Sequence, residues 1–336
     1  MSAKIRYIFG AGASFGAVPL VKDMPDAVYE YAKAIEVLVH GLNPKAGTTA
    51  DFDRIRNLKE FSAHLEKTAS ELKGAFSFDT LAKSLWVRDM LEYQKLKFTI
   101  ETIILLEEYR NRHNARYDAF LAALAIKERR LMPLENIQII NWNYDNQFLK
   151  ALKLIDPNIA FSDWPKNLNH IYVNGSAKSY ASPIKPNETF LEEIQEHGEV
   201  KLREYSEKTK LNAKIKVPAV LVFIDHINAF SSFREVYDFD PGIQYSWELS
   251  KPKVERGTTF KTNHTVIIGY SLPTFNRLID KTILHDQAGG GNIYYQCGEG
   301  NSSVRSKLLG MGFNPDKLIA IDDVNEFFIP PEYDLN

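Results

Sequence analysis

Seven short apolar runs most constrain the fold of this chain. Each is five or six residues long, and several lack the polar alternation of a strand with one face in water. Such runs are typical of strands that are covered on both faces in a parallel sheet. The runs are IRYIF (5–9), NIQIIN (136–141), HIYVN (170–174), AVLVFI (219–224), TVIIGY (265–270), NIYYQC (292–297) and LIAID (318–322). The sequence therefore predicts an α/β fold with a mainly parallel sheet.

A long stretch with a different pattern separates the first two runs. Between residues 22 and 130, apolar residues return at intervals of three and four, and the part from 78 to 111 contains neither Gly nor Pro. This spacing predicts helices, without the sustained heptad or fixed repeat of a coiled coil or solenoid. We therefore expect a Rossmann-like domain made of residues 1–21 and 131–336, with a helical insertion at 22–130 after the first strand.

A strongly polar segment lies at residues 181–216. Polar connecting segments run over protein surfaces and often carry contacts with partners. We interpret this segment as a mobile loop or an arm that faces a partner.

Composition excludes several classes of protein. The chain has 336 residues, 44% of them hydrophobic and 25% charged, and its net charge of −2 gives no bulk cationic surface for nucleic acid. The single cysteine, Cys297, excludes a disulfide framework and a cysteine-based zinc site within the chain. No metal-ligand spacing is present, so we predict no metal. No apolar run reaches the ~18 residues of a membrane span, and the first run is too short for a signal peptide, so we expect a cytoplasmic protein.

The glycine-rich stretch YIFGAGASFGAVP (7–19) includes the end of the first predicted strand. Gly10 would allow a tight turn, and Gly12 a close approach of the backbone to a phosphate. Ser14 would cap a following helix, whose N-terminal amides favour an anion. The third glycine is Gly16, so the spacing differs from the dinucleotide pattern G-x-G-x-x-G, and no P-loop lysine follows. A phosphate-binding turn and a simple loop both remain open at this point.

Polar residues also follow the second predicted strand. Asn143 and Asp145 flank Tyr144, and alternation would place their side chains on one face, together with that of Asn141. Such residues either bind a ligand at the strand end or form a polar turn that closes the strand.

Taken together, these stretches resemble the sirtuin family. GAGASFGAVP (10–19) resembles the first sirtuin motif, a Gly-Ala-Gly-x-Ser loop followed by a Gly and a Pro. IINWNYDNQF (139–148) resembles the motif in which a strand ends in Asn-x-Asp, and VIIGYSLP (266–273) the later Gly-x-Ser turn that contacts the dinucleotide. FSFDTLAKSL (76–85) is similar to part of the helical insert in sirtuin-like proteins of bacterial antiphage defence.

The resemblance implies a set of residues that bind NAD⁺, which is the substrate. These residues lie in the two glycine turns: Gly10, Ala11, Gly12, Ser14, Pro19, Gly269 and Ser271. In the family reading, Asn143 holds the ribose hydroxyls or a water, and Asp145 orders the nicotinamide side.

The chain departs from the family pattern in two places. Deacetylase sirtuins carry a four-cysteine zinc ribbon, which one cysteine cannot form, and this favours simple NAD⁺ cleavage over protein deacylation. The family's next motif is a strand ending in His-Gly, with the His as general base, whereas HIYVNGSA (170–177) has Asn174 at that position. An amide cannot take a proton at neutral pH, and losing a general base typically costs ~10²–10⁴ in rate. Asn174 can therefore orient a group but cannot act as the base.

Two other histidines are alternatives for the missing base. His170 lies four residues earlier on the same predicted strand, about 13 Å from Asn174 at ~3.3 Å per residue, which is too far for the same role. His226 follows the run 219–224, at the end of a strand where sites form in parallel sheets. A loop histidine without a role is the other interpretation of His226.

The resemblance implies a NAD⁺ glycohydrolase, an effector that depletes NAD⁺ in antiphage defence. The alternative is a catalytically impaired subunit that binds NAD⁺ or ADP-ribose, which Asn174 favours. The implied partners are a second copy of the chain, in a homo-oligomer, and a separate activator such as a phage protein, an Argonaute-like protein or a DNA-translocase ATPase. A Rossmann oxidoreductase is disfavoured because the glycine spacing differs and no acidic residue ends the adjacent strand.

Overall fold

The structure is a computed structural model of the chain. It describes residues 4–75, 77–110, 114–128, 136–155, 169–178, 187–209, 224–228, 242–248, 260–285 and 290–333. Backbone contacts group the chain into two units. Unit 1 comprises Met1–Val18, His113–Ser176 and Gln244–Asn336, and unit 2 comprises Pro19–Arg112 and Ala177–Ile243. Unit 2 thus contains most of the predicted insertion 22–130, while the last helix of that stretch belongs to unit 1.

Unit 1 is built on a six-stranded, wholly parallel sheet with the strand order β3-β2-β1-β4-β5-β6. The strands are β1 Ile5–Phe9, β2 Ile137–Asn141, β3 Asn169–Tyr172, β4 His264–Ile268, β5 Ile293–Gln296 and β6 Leu318–Ala320. Six of the seven predicted strands are therefore confirmed. The seventh, at 219–224, lies outside the described residues except for Ile224, which begins a short helix.

The helices of the described residues cover most of the remaining chain. In chain order they are α1 Met24–Val39, α2 Thr49–Gly74, α3 Phe78–Arg88, α4 Met90–Arg110, α5 Ala115–Glu128, α6 Gln147–Ile155, α7 Glu188–Thr209, α8 Ile224–Asn228, α9 Arg277–His285 and α10 Asn301–Gly310. The predicted helical pattern between 22 and 130 is confirmed by α1 to α5. None of the helices in the described ranges is long and apolar enough to cross a membrane.

Helices cover both faces of the sheet, which explains why its strands read as continuous apolar runs. On one face, Tyr7 and Phe9 of β1 pack with Tyr117 and Phe120 of α5 in a cluster that also includes α6. On the other face, Ile8 belongs to a cluster with apolar residues of α9 and α10. The architecture is the Rossmann-like α/β fold that the sequence predicts.

The register places three strand ends level with one another. Phe9, the last residue of β1, pairs with Asn141 of β2 and with Ile268 of β4. The strand order reverses beside β1, and in open parallel sheets ligands bind in the crevice outside the carboxyl ends at such a point. The two glycine turns and the Asn143 turn all begin at these ends.

Helix α7 corrects the interpretation of residues 181–216 as a mobile loop. Phe190 and Ile194 are fully buried one turn apart, which gives the helix an apolar stripe. The Phe190 ring packs 6.4 Å from that of Phe52, and the Glu193 carboxylate accepts a hydrogen bond of 2.8 Å from the Lys45 amide. The polarity that suggested a loop belongs to the exposed faces of this helix, and 181–186 and 210–216 lie outside the described residues.

Candidate functional site

The two glycine turns pack directly against each other. The Gly10 amide donates to the Ile268 carbonyl, and the Gly12 amide donates to the Gly269 carbonyl, each at 2.9 Å. A Cβ on Gly12 would lie 2.8 Å from the Gly269 Cα, and a Cβ on Gly269 would lie 2.3 Å from the Ala13 nitrogen. The sequence predicted a close approach of the Gly12 backbone to a phosphate. The geometry shows that glycine is needed here for contact between two backbones.

The prediction that Ser14 caps the following helix is wrong. Ala11–Ser14 form a single turn of 3₁₀-helix, and the next helix begins only at Met24, in unit 2. The Ser14 carbonyl accepts hydrogen bonds of 3.0 and 3.1 Å from the amides of Ala17 and Val18. This tight turn, in which Gly16 has a φ of +90°, stops the chain from continuing as a helix after the glycines.

The Ser14 side chain instead joins a buried polar cluster. Its hydroxyl lies 3.2 Å from the hydroxyl of Tyr117 and accepts a hydrogen bond of 3.1 Å from the Asn143 side-chain amide. Burial, and then the nearby Asp145 carboxylate, raise the pKa of Tyr117 well above its usual value, so its hydroxyl stays protonated. The structure thus joins Ser14 to the predicted residue Asn143.

Asn143 and Asp145 are held in fixed orientations. The backbone amide of Asn143 donates to the side-chain oxygen of Asn141 at 2.9 Å. The Asp145 carboxylate accepts a hydrogen bond of 3.0 Å from the amide of Gln147, the first residue of α6. Among the described residues, the Asn141 side-chain nitrogen has no hydrogen-bond partner although it is buried. The turn therefore places one carboxylate and two amide side chains at the carboxyl end of β2.

Asn174 lies at the carboxyl end of β3, where it binds a neighbouring backbone segment. Its carbonyl accepts from the Gln244 amide at 2.8 Å, and its side-chain oxygen accepts from the Ser246 amide at 3.4 Å. The side chain is only 3% exposed. Asn174 therefore holds the backbone of Gln244 and Ser246 at the carboxyl end of β3.

The turn after β4 is strained and firmly packed. Leu272 is buried and has a φ of +49°, a left-handed conformation that is rare for a branched residue. Tyr270 stacks on Trp142 with a ring separation of 5.2 Å. Ser271 is exposed, and its carbonyl accepts a hydrogen bond of 2.7 Å from the Lys307 side chain. Pro19, the remaining predicted contact with NAD⁺, is the first residue of unit 2 and is partly buried.

Both alternative histidines are buried. His170 is enclosed by Phe148 and Tyr172, at ring separations of 4.8 and 4.5 Å, and burial lowers its pKa to about 3. His226 lies within the short helix α8 of unit 2, and residues 219–223 of the predicted strand before it lie outside the described residues. Its ring nitrogen lies 2.8 Å from the Thr102 hydroxyl.

Sequence reasoning missed the residues that begin α5. The side chains of Asn114 and Arg116 donate hydrogen bonds to carbonyls of the glycine turn about 100 residues earlier in the chain. The Asn114 side-chain oxygen also accepts from the Arg116 amide, as a helix-capping asparagine does. That capping pattern could have located the helix start, but nothing local in the sequence indicates contact with the glycine turn.

Cys297 packs against the turn after β4. Burial raises the pKa of Cys297 to about 11, and its thiol donates to the Tyr270 carbonyl at 3.5 Å, which is typical of a packing residue. In the part of the chain that the structure describes, no group of three His, Cys, Asp or Glu side chains is arranged to hold a metal ion.

Comparisons of this chain with protein-family models, with curated proteins and with solved structures find no match.

Proposed function

We propose that this protein is a NAD⁺ glycohydrolase, which converts NAD⁺ and water into nicotinamide, ADP-ribose and a proton. One observation carries the proposal. Two glycine turns meet where the strand order reverses, and the buried Asn143 side chain is bonded to Ser14 of the first turn. In open parallel sheets, nucleotides bind at this point, with their phosphates against the first turn.

The residues of the cluster suit cleavage of the bond between the nicotinamide nitrogen and ribose C1′. The bonding electrons leave with neutral nicotinamide, and positive charge develops on the ribose. The Asp145 carboxylate supplies negative charge for this cation, and the Asn143 amide holds the ribose hydroxyls or the attacking water. Nicotinamide needs no proton to leave. Replacing the histidine by Asn174 therefore removes only the base that would take a proton from the attacking water.

A specific observation favours a second candidate, an impaired subunit that binds NAD⁺ or ADP-ribose without turnover. The Asn174 side chain is bonded to the Ser246 backbone. The described histidines of unit 1 are His170 within β3, His264 at the start of β4 and His285 at the end of α9. Within the described ranges, therefore, no histidine of unit 1 follows a strand at its carboxyl end.

The biological setting is proposed from the resemblance to sirtuin-like defence proteins. In that setting the protein is a cytoplasmic effector that depletes NAD⁺ during phage infection. An enzyme of this kind needs an inactive state, which a homo-oligomer would provide. A separate phage protein, Argonaute-like protein or DNA-translocase ATPase would then activate it.

The proposal is tested by measuring NAD⁺ binding and nicotinamide release on the same purified sample. Asn143→Ala is expected to lower nicotinamide release by at least about 100-fold, because it removes a group that positions the ribose or water. Asn57→Ala removes an equally buried amide from α2 of unit 2 and is expected to leave release unchanged. Equal release by wild type and Asn143→Ala would contradict the assigned role.

Binding without release would separate the two candidates through Asn174→His. If the added histidine produces nicotinamide release, the chain is an impaired enzyme that lacks only its base. If it does not, even with the activating protein present, and binding persists, the chain is a nucleotide-binding subunit. A wild-type protein that binds neither NAD⁺ nor ADP-ribose overturns both candidates.

A further inference from the structure

Arg116 is a cation that lies against the glycine turn. It is the second residue of α5 and is partly buried. Its guanidinium group lies 5.2 Å from the ring centre of Phe327. In the described part of the chain, no carboxylate forms an ion pair with it. Because burying a charge costs free energy, other groups must compensate for the missing carboxylate.

Among the described residues, all hydrogen bonds of the guanidinium group go to backbone carbonyls. One terminal nitrogen donates to the carbonyls of Gly12, Ala13 and Phe15, at 3.0, 2.8 and 3.3 Å. The other donates to the carbonyl of Val324 at 3.2 Å. The fork of an arginine makes these contacts together, which the single ammonium group of a lysine could not do with the same geometry.

Asn114 strengthens the same arrangement. Its side-chain nitrogen donates to the carbonyls of Ala13 and Phe15, at 3.1 and 3.2 Å. Three carbonyls of one short turn therefore all face the start of α5.

This orientation determines where the other end of each peptide group points. A trans peptide is planar, and its N–H points opposite to its C=O. With the carbonyls of Ala13 and Phe15 turned toward Arg116, the amides of Ser14 and Gly16 point away from it. Backbone amides aimed outward from a turn form a site for anions, whereas carbonyl oxygens in their place would repel one.

We propose that Arg116 is a positioning residue for a ligand that carries a diphosphate group. It holds the glycine turn with its carbonyls facing α5, so that the opposite, amide side faces the diphosphate. This inference rests on the proposed NAD⁺ ligand. It concerns binding and not cleavage, so it does not require the hydrolysis to occur.

The test compares two probes, ADP-ribose, which has a diphosphate, and adenosine, which has none. Binding of each is measured by titration for wild type, Arg116→Lys and Arg116→Met. We expect Arg116→Met to weaken ADP-ribose binding about tenfold, Arg116→Lys to weaken it less, and both to change adenosine binding by less than about twofold. Arg305→Met is the matched control, because the Arg305 guanidinium also donates to a carbonyl, that of Leu318 at 3.3 Å, but on α10.

Chemical rescue separates positioning from general loss of structure. Arg116→Ala leaves space for a free guanidinium ion, so millimolar guanidinium is expected to restore part of the ADP-ribose binding to this variant. Arg116→Met fills that space and is expected to show no such rescue.

Three results would overturn the inference. They are unchanged ADP-ribose binding in the Arg116 variants, an equal loss of ADP-ribose and adenosine binding, and the absence of rescue. Wild-type protein that binds neither probe would overturn this inference together with the proposed function. Arg116-dependent binding of ADP-ribose without nicotinamide release from NAD⁺ would overturn the proposed hydrolysis alone and support the role of Arg116.

Discussion

At the scale of single residues, Gly269 is subject to two independent constraints. Its φ of +60° is a conformation that residues with a Cβ adopt at a cost, and a Cβ there would also collide with the backbone of the first glycine turn. A glycine motif can therefore reflect contact between two loops as well as contact with a phosphate. The sequence pattern alone does not distinguish these two reasons.

The two constraints at Gly269 can be separated by a matched pair of substitutions. Gly290 has a φ of +65° but open space around its Cα, so Gly290→Ala introduces strain alone. We expect Gly290→Ala to lower the free energy of unfolding by about 1 kcal/mol and Gly269→Ala by about 2–4 kcal/mol. Urea denaturation measures both values. An equal decrease in the free energy of unfolding of the two variants would mean that the packing of the two turns contributes nothing to stability.

At the scale of elements, α2 begins with a complete capping box. The Thr48 hydroxyl accepts from the Asp51 amide at 3.3 Å, and the Asp51 carboxylate accepts from the Thr48 amide at 2.8 Å. The same carboxyl group pairs with Arg54 at 2.8 Å, and both side chains are buried. The start of this 26-residue helix is thus determined by local hydrogen bonds that are visible in the sequence as Thr-x-x-Asp.

Removing the cap tests how much the capping box contributes to the stability of the protein. Thr48→Ala is expected to lower the free energy of unfolding by about 1 kcal/mol, because the Asp51 amide and carboxylate both lose their hydrogen bonds with the Thr48 hydroxyl. Thr282→Ala removes an exposed hydroxyl that bonds only to the Leu278 carbonyl one turn earlier, and we expect a change within about 0.5 kcal/mol. Thermal unfolding of both variants gives the comparison, and no difference between them would rule out a stabilising cap.

At the scale of the whole molecule, histidines with lowered pKa values occur in both units. Burial lowers the pKa of His170 in unit 1 to about 3, and those of His226 and His64 in unit 2 to about 4. These values are below the ~6.5 of a histidine in the unfolded chain, so the unfolded state takes up more protons as the pH falls. The stability that these groups contribute is present above about pH 6.5 and is lost progressively toward pH 3.

This linkage predicts that the free energy of unfolding decreases as the pH falls from about 6.5 to 4.5. His170 alone would account for a decrease on the order of 2 kcal/mol in this range. Urea unfolding at several pH values measures the slope, and His170→Phe is expected to make it shallower. His285→Phe changes an exposed histidine and is expected to leave the slope as in wild type. An unchanged slope in His170→Phe would contradict the assignment.

The candidate site could be predicted in part from its own residues. Asn143 and Asp145 follow a buried strand, and their place at the end of β2 follows from that strand alone. The contact of Asn143 with Ser14, and the part played by Asn114 and Arg116, could not be predicted, because these residues lie about 100 positions or more from the turn they contact. The pairing of β1 with β2 brings Asn143 to Ser14, and the packing of α5 against β1 brings Asn114 and Arg116 to the turn.

The amino-acid sequence by itself determined the parallel sheet, six of its strands and the helical character of residues 22–130, because burial leaves a periodic pattern within each segment. The tertiary structure decided the strand order, the packing of one glycine turn against the other, and the presence of the start of α5 beside the first turn. It also showed that most of the polar segment 181–216 is helix. These features depend on contacts between distant segments, and the periodic pattern within one segment contains no information about such contacts.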